Sequence, residues 1–172
     1  GKKLSRVFWH RLYRREFAYW QLHNWPELPS KSVRGHYENR KAWLEGDEAA
    51  VALHRWQTGT TGFPTVDAGM RRLWATGWMH QSERMIAATF LVDYCGVHWT
   101  HGADWFLDTL VDADLAINSM MWQNAGKSGL DQWDVFAGSL TPDGSSRAHD
   151  PEGESIARWI PELAALPKGH LR

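Results

Sequence analysis

Apolar residues recur every three to four positions along most of this chain, and no strand-length stretch alternates convincingly between apolar and polar. The spacing predicts a helix over residues 4–22. Leu4, Phe8, Leu12, Phe17 and Tyr19 fall at helical intervals, with Val7 and Arg11 alongside. Pro26 and Pro29 stop it, because proline lacks the amide donor a helix needs. Residues 35–45 read as a short helix or an irregular arm. Residues 47–57 form a clear helix, rich in Ala49, Ala50, Ala52 and Leu53, with Asp47 as its cap. Residues 58–64 are a loop. Further helices are expected over 65–75 (closed by Gly77), 80–95 (closed by Gly96), 102–110 and 114–124 (closed by Gly126). Gly, Ser, Pro and Asp crowd residues 138–154, which read as a long loop, and a last helix over 155–166 is interrupted near Pro161. The class is all-α, in a single domain over 1–172.

Composition narrows the function. Lysine and arginine number 19 and aspartate and glutamate 20, for a net charge of −1, so whole-surface attraction to nucleic acid is not favoured, although a local basic patch is compatible. The single cysteine, Cys95, excludes an internal disulfide framework and is compatible with an intracellular home. No stretch reaches the roughly 18 apolar residues that a membrane span needs. The N-terminus has no signal-peptide core and begins abruptly inside an amphipathic pattern, as a piece of a longer protein would. Tryptophan is the outlier, with 12 residues. Any one of them reads equally well as core filler; so many suggest base stacking or electron transfer.

The chemistry concentrates in residues 110–124. A helix starting near Asp114 would carry Asp114, Asn118 and Trp122 at i, i+4 and i+8, one polar–aromatic face. From spacing alone, Asp112 and Asp114 are more often plain caps of the helix start. His98 and His101 with Asp104 and Asp108 hint at a metal. Two histidines at i, i+3 on a helix entry are more often surface or capping groups, and no metal is expected. Ser119 and Ser128 have no histidine–aspartate arrangement in range. Arg11, Arg14 and Arg15 interleave with Trp9, Tyr13 and Trp20. That pattern suits nucleic-acid contact, or equally a helix whose arginines lie along core aromatics.

Four ordered segments carry a family resemblance. Thr61-Gly62-Phe63-Pro64-Thr65-Val66-Asp67-Ala68-Gly69-Met70-Arg71 resembles the TGYPxVDAxMR signature of the DNA photolyase and cryptochrome superfamily. Thr76-Gly77-Trp78-Met79-His80 resembles its TGWMH stretch, and Arg84-Met85-Ile86-Ala87-Ala88-Thr89-Phe90-Leu91-Val92 its RMIxASFLV stretch. Asp112-Ala113-Asp114-Leu115-Ala116-Ile117-Asn118 resembles DxDLAxN, with Trp122-Gln123 at the expected distance. The resemblance runs through almost the whole chain. It implies the all-α FAD-binding domain of that superfamily, without the N-terminal α/β antenna domain, and blue-light photochemistry on a bound FAD.

By the same resemblance, Asp112 and Asp114 match carboxylates beside the flavin, Arg84 the arginine paired with the first of them, and Asn118 the residue facing flavin N5. Trp122 matches the flavin-proximal member of an electron-transfer triad and Trp99 the middle one. Trp43 is the candidate third, although its spacing to Trp56 departs from the family's. Two further departures bear on function. The family's phosphate-binding segment lies upstream of residue 1, so a missing N-terminal segment or a protein partner completes the FAD site, or binding is weakened. Arg14 stands where repair enzymes keep a tryptophan against the lesion, Arg11 where they keep a glutamate, and Gln81 and Ser82 where they keep Asn-Arg. The lesion-reading side is therefore altered. With Arg15, these four residues form the expected DNA contact. The resemblance leaves open a photoreceptor or divergent repair protein, a true photolyase acting on pyrimidine lesions, or a flavin-free helical module that binds a partner or nucleic acid.

Overall fold

A computed structural model describes residues 5–38, 43–130, 150 and 152–166. Among these residues the regular structure is entirely helical. The elements are α1 (Arg6–Asn24), α2 (Gly46–Thr58), α3 (Pro64–Thr76), α4 (Gln81–Thr89), α5 (Trp99–Thr109), α6 (Leu115–Ala125) and α7 (Glu154–Trp159), with single 3₁₀ turns at Gly35–Tyr37 and Pro161–Leu163.

Local chemistry sets the boundaries. Ser5 caps α1 by accepting from the Phe8 amide, and the chain leaves the helix at Trp25, the residue before Pro26, where the α conformation is disfavoured. α2 starts at Gly46 with Glu45 before it, so Asp47 lies in the first turn and is not the cap. There its charge still suits the helix dipole. Pro64 opens α3, and the Asp67 carboxylate folds back to accept from Thr61 N, Thr61 Oγ1 and Gly62 N at 2.8, 2.6 and 2.9 Å. His80 and Glu83 form a reciprocal capping box on α4.

Two further expectations need correction. The single helix expected over 80–95 is two pieces: α4 ends at Thr89, and Phe90–Tyr94 widens into a π-helical turn closed by the Cys95 amide bonding Phe90 O. An inserted turn of this kind keeps the apolar run going while re-aiming the chain. α5 begins at Trp99, three residues earlier than expected, because the His98 side chain caps it. Of residues 35–45, expected as a short helix or an irregular arm, those described carry a 3₁₀ turn at Gly35–Tyr37 and no further helix before α2, with 39–42 outside the described residues. Most of the expected loop 138–154 also lies outside them; Gly153 caps α7 and Glu154 is its first residue.

The main core is buried by α2 to α6: Trp56, Met70, Leu73, Met79, Ile86, Leu91, Val97, Trp99, Phe106 and Trp122. α7 adds a satellite, Ile156 and Ile160 against Ala68 of α3. α1 joins only through its second half, where Ala18 meets Ala116 and Met120 of α6. The apolar face expected of α1 is thus largely uncovered: Val7 is 62% exposed, Tyr13 72%, and Phe8, Leu12 and Tyr19 are also exposed.

Candidate functional site

α5 and α6 pack together and set two tryptophans by a crossed arrangement. Trp122, on α6, presses on Gly102 of α5: a Cβ there would meet the indole at 2.2 Å. Trp99, at the start of α5, presses on Gly126 at the end of α6, where a Cβ would meet its ring at 2.6 Å. Real Cβ atoms do not approach so closely, so only glycine seats either indole. Trp122 is 3% exposed and stands edge-on to Phe106 (5.2 Å) and Trp56 (6.2 Å). Trp56 is itself pinned by its indole N–H, donated to Ala87 O at 2.8 Å. Trp99 is fully buried. Its ring meets His98 at 5.6 Å, and His98 meets the ring of half-buried Trp43 at 4.7 Å.

Asn118 lies one turn before Trp122 on α6. It donates Nδ2 to Ala103 O of α5 at 2.9 Å. A carbonyl can only accept, so the amide group must face it, which turns Oδ1 the other way as an acceptor. Asp114 does not extend this helical face. It is the N-cap residue, accepting from Ile117 N at 2.9 Å and from the Tyr19 hydroxyl at 2.7 Å. The i, i+4, i+8 row is therefore corrected to a pair, Asn118 and Trp122, both turned towards α5, with Asp114 at the helix mouth. Partial burial pushes the Asp114 carboxyl up. Hydrogen bonds from Ile117, Tyr19 and Ala116, with Arg15 nearby, outweigh it and hold the group below the ordinary aspartate range.

Arg84 donates Nε to Met79 O at 2.8 Å and sets Nη2 at 3.0 Å from both oxygens of Asp112. The backbone anchor fixes the guanidinium; the half-exposed ion pair adds about 0–1 kcal/mol. Among the residues expected to contact nucleic acid, Arg11 reaches Gln81 Oε1 at 3.5 Å, Ser82 bonds the His80 ring, and Arg15 lies over the Tyr19 ring at 5.4 Å. α1 and the start of α4 thus share one exposed edge. His98 and His101 form no metal cluster: among the described residues, no group of three or more His, Cys, Asp or Glu is arranged to hold one. No described helix is long and apolar enough to cross a membrane. Burial pushes the Cys95 thiol up to about 11.

The FAD-binding domain of DNA photolyase, as a sequence family, matches residues 8–172. This chain belongs to that family. It is 38% identical over 157 residues to a deoxyribodipyrimidine photo-lyase of Agrobacterium fabrum, covering 91% of this chain and 32% of that protein. Cryptochrome-2 of Arabidopsis thaliana is 36% identical over 172 residues, covering 97% and 26%. The crystal structure of an archaeal photolyase from Sulfolobus tokodaii, solved with two FAD molecules, superposes with a TM-score of 0.85 at 33% identity, covering 99% of this chain and 38% of that one. The chain thus spans about a third or less of the curated relatives' length. The fold is the helical FAD-binding domain of photolyases and cryptochromes.

The donor set fits the family's cofactor. A guanidinium anchored beside a carboxylate, a second carboxylate at a helix mouth, and a carboxamide with Oδ1 left to accept are groups that a flavin's ring N–H and ribityl hydroxyls can pair with. Three features escaped the sequence reading. Tyr19 holding Asp114 and His98 touching two indoles depend on chain packing. The Gly102 and Gly126 seats were legible only as glycines near helix ends.

Proposed function

We propose that this chain is one helical domain over residues 1–172 that holds FAD and serves blue-light electron transfer, inside the cell, as a photoreceptor or a divergent repair protein. An upstream segment or a partner protein completes the site. The observation that carries this reading is Asn118: its Nδ2 donates to Ala103 O, which orients its Oδ1 the other way as an acceptor, and Trp122 follows one turn later on the same helix. FAD, when bound, supplies a group that absorbs blue light and takes up electrons. Arg84, Asp112, Asp114 and Asn118 would position it, with Asn118 Oδ1 available to accept a hydrogen bond from N5 when that nitrogen carries a proton. Trp122, Trp99 and Trp43 supply the electrons, and their burial keeps water from the first two. The test is Asn118→Asp in the FAD-loaded protein. A carboxylate there repels added negative charge, so the variant's light-minus-dark spectrum differs from the wild type's; identical spectra reject the assignment.

A second reading is a true photolyase, a light- and FAD-dependent lyase acting on pyrimidine dimers. Against efficient repair stands the Arg11–Gln81 contact, which places a guanidinium on the edge where repair relatives keep a glutamate. Arginine cannot share a proton with a lesion carbonyl as a carboxyl group does. Arg11, Arg14, Arg15, Gln81 and Ser82 then favour phosphate contact, giving DNA affinity that falls as salt rises. Turnover of a dimer-containing oligonucleotide at an ordinary photolyase rate would establish this second reading.

A further inference from the structure

The His98 ring is in contact with both Trp43 and Trp99, at 4.7 and 5.6 Å. Its orientation is fixed. Nδ1 lies 2.8 Å from Thr100 Oγ1 and accepts from the Thr100 amide at the mouth of α5. With Nδ1 accepting, the proton of the neutral ring sits on Nε2, which faces Glu38 Oε2 at 3.9 Å. Neither Trp43 Nε1 nor Trp99 Nε1 has a hydrogen-bond partner among the described residues.

We propose that His98 is a positioning residue for electron passage from Trp43 to Trp99, its imidazole holding the two indoles in register and coupling them. The proposal rests on the reading of Trp122, Trp99 and Trp43 as an electron path. The step balances simply. Trp99, oxidised by Trp122 after flavin photoexcitation, takes one electron from Trp43; Trp99 is restored and Trp43 is left oxidised. Among the described residues neither indole N–H has an acceptor, so in this step both keep their protons and only the electron moves.

The imidazole serves this step as the neutral ring. An imidazolium would place a positive charge beside an indole that is losing an electron, opposing the loss. It would also turn Nδ1 into a donor and break the cap of α5. Among the described residues two titratable groups act on the ring: Glu38, just after the 3₁₀ turn, which favours the charged form, and His101 on α5, which opposes it. Burial, the largest influence, also opposes the charge, and the ring stays below the ordinary histidine range.

The experiment is flash photolysis of the FAD-loaded protein, following Trp43 oxidation in the wild type, His98→Phe, His98→Ala and Trp43→Phe. His98→Ala should lose the Trp43-dependent phase, as Trp43→Phe does, while His98→Phe keeps most of it. In the wild type, not in His98→Phe, the phase should weaken as the pH falls below 6.5. A fully retained phase in His98→Ala, with loss in Trp43→Phe, overturns the role of His98 and leaves the tryptophan path standing. No loss in Trp43→Phe overturns both. A flavin-independent check is the indole N–H resonances of Trp43 and Trp99 in ¹⁵N-labelled protein. They should move together through one inflection below pH 6.5 in the wild type only; resonances unmoved by pH also overturn the proposal.

Discussion

The aromatic side chains of α5 and α6 are locked, whereas those in the first half of α1 are open. Trp99, Phe106 and Trp122 are buried against one another's helices and against two glycines. Phe8, Trp9 and Tyr13 lie exposed on a helix whose amphipathic spacing is just as clear. An apolar stripe shows that a face can be covered; only partners in the fold decide whether it is. Departures from the family's motifs follow the same line. Arg11 and Gln81 stand exposed on the open edge, with Arg14 and Ser82 partly buried, while Arg84, Asn118, Trp99 and Trp122 are tied into the packed side. Fixed geometry is what the proposed electron path requires, and the open edge is under no such packing constraint.

The contrast predicts a graded set of stability effects, measurable by urea unfolding. Trp122→Ala, which empties a core seat between α2 and α5, should cost about 3–5 kcal/mol. Gly102→Ala should cost about 1–3 kcal/mol despite alanine's better helix propensity, because the rigid Trp122 ring cannot yield to a Cβ at 2.2 Å. Asp114→Ala, which removes the α6 cap and the acceptor for Tyr19, should cost about 1 kcal/mol. Tyr13→Ser on open α1 should stay within about 0.5 kcal/mol. A Tyr13→Ser cost comparable to that of Gly102→Ala would erase the contrast.

The pH response sharpens it. His98 resists protonation in the fold, while the unfolded chain takes the proton near pH 6.5. The stability tied to its neutral ring is therefore full above 6.5. It declines as the pH falls through that value, then levels off below the folded pKa. His98→Phe should flatten this stretch of the curve. Asp114 works at lower pH: its depressed folded pKa gives stability that is present above 3.8 and lost as the pH falls through and below that value.

Helix placement was legible because periodicity, prolines and glycine stops coincide, as at Pro26 and Gly77. The break at Phe90 was not, since a π-helical turn keeps the apolar spacing of the helix it interrupts. Asp114 was legible both as a helix-face residue and as a cap, and the packed helix makes it the cap. Asn118, Arg84 and Asp112 were named from motif matches, and their anchors on Ala103 O and Met79 O appear only once α4, α5 and α6 are packed. The link from Trp43 through His98 to Trp99 joins separate segments, which no local pattern encodes.

The most direct measurement is blue-light reduction of the FAD-loaded protein, followed by loss of the oxidised flavin band in the wild type and in Trp122→Phe. Phenylalanine keeps most of the packing against Phe106 and Trp56 but is far harder to oxidise. The electron-path account predicts a folded, yellow variant whose flavin band does not bleach with an added reductant and light. Bleaching at the wild-type rate would contradict it.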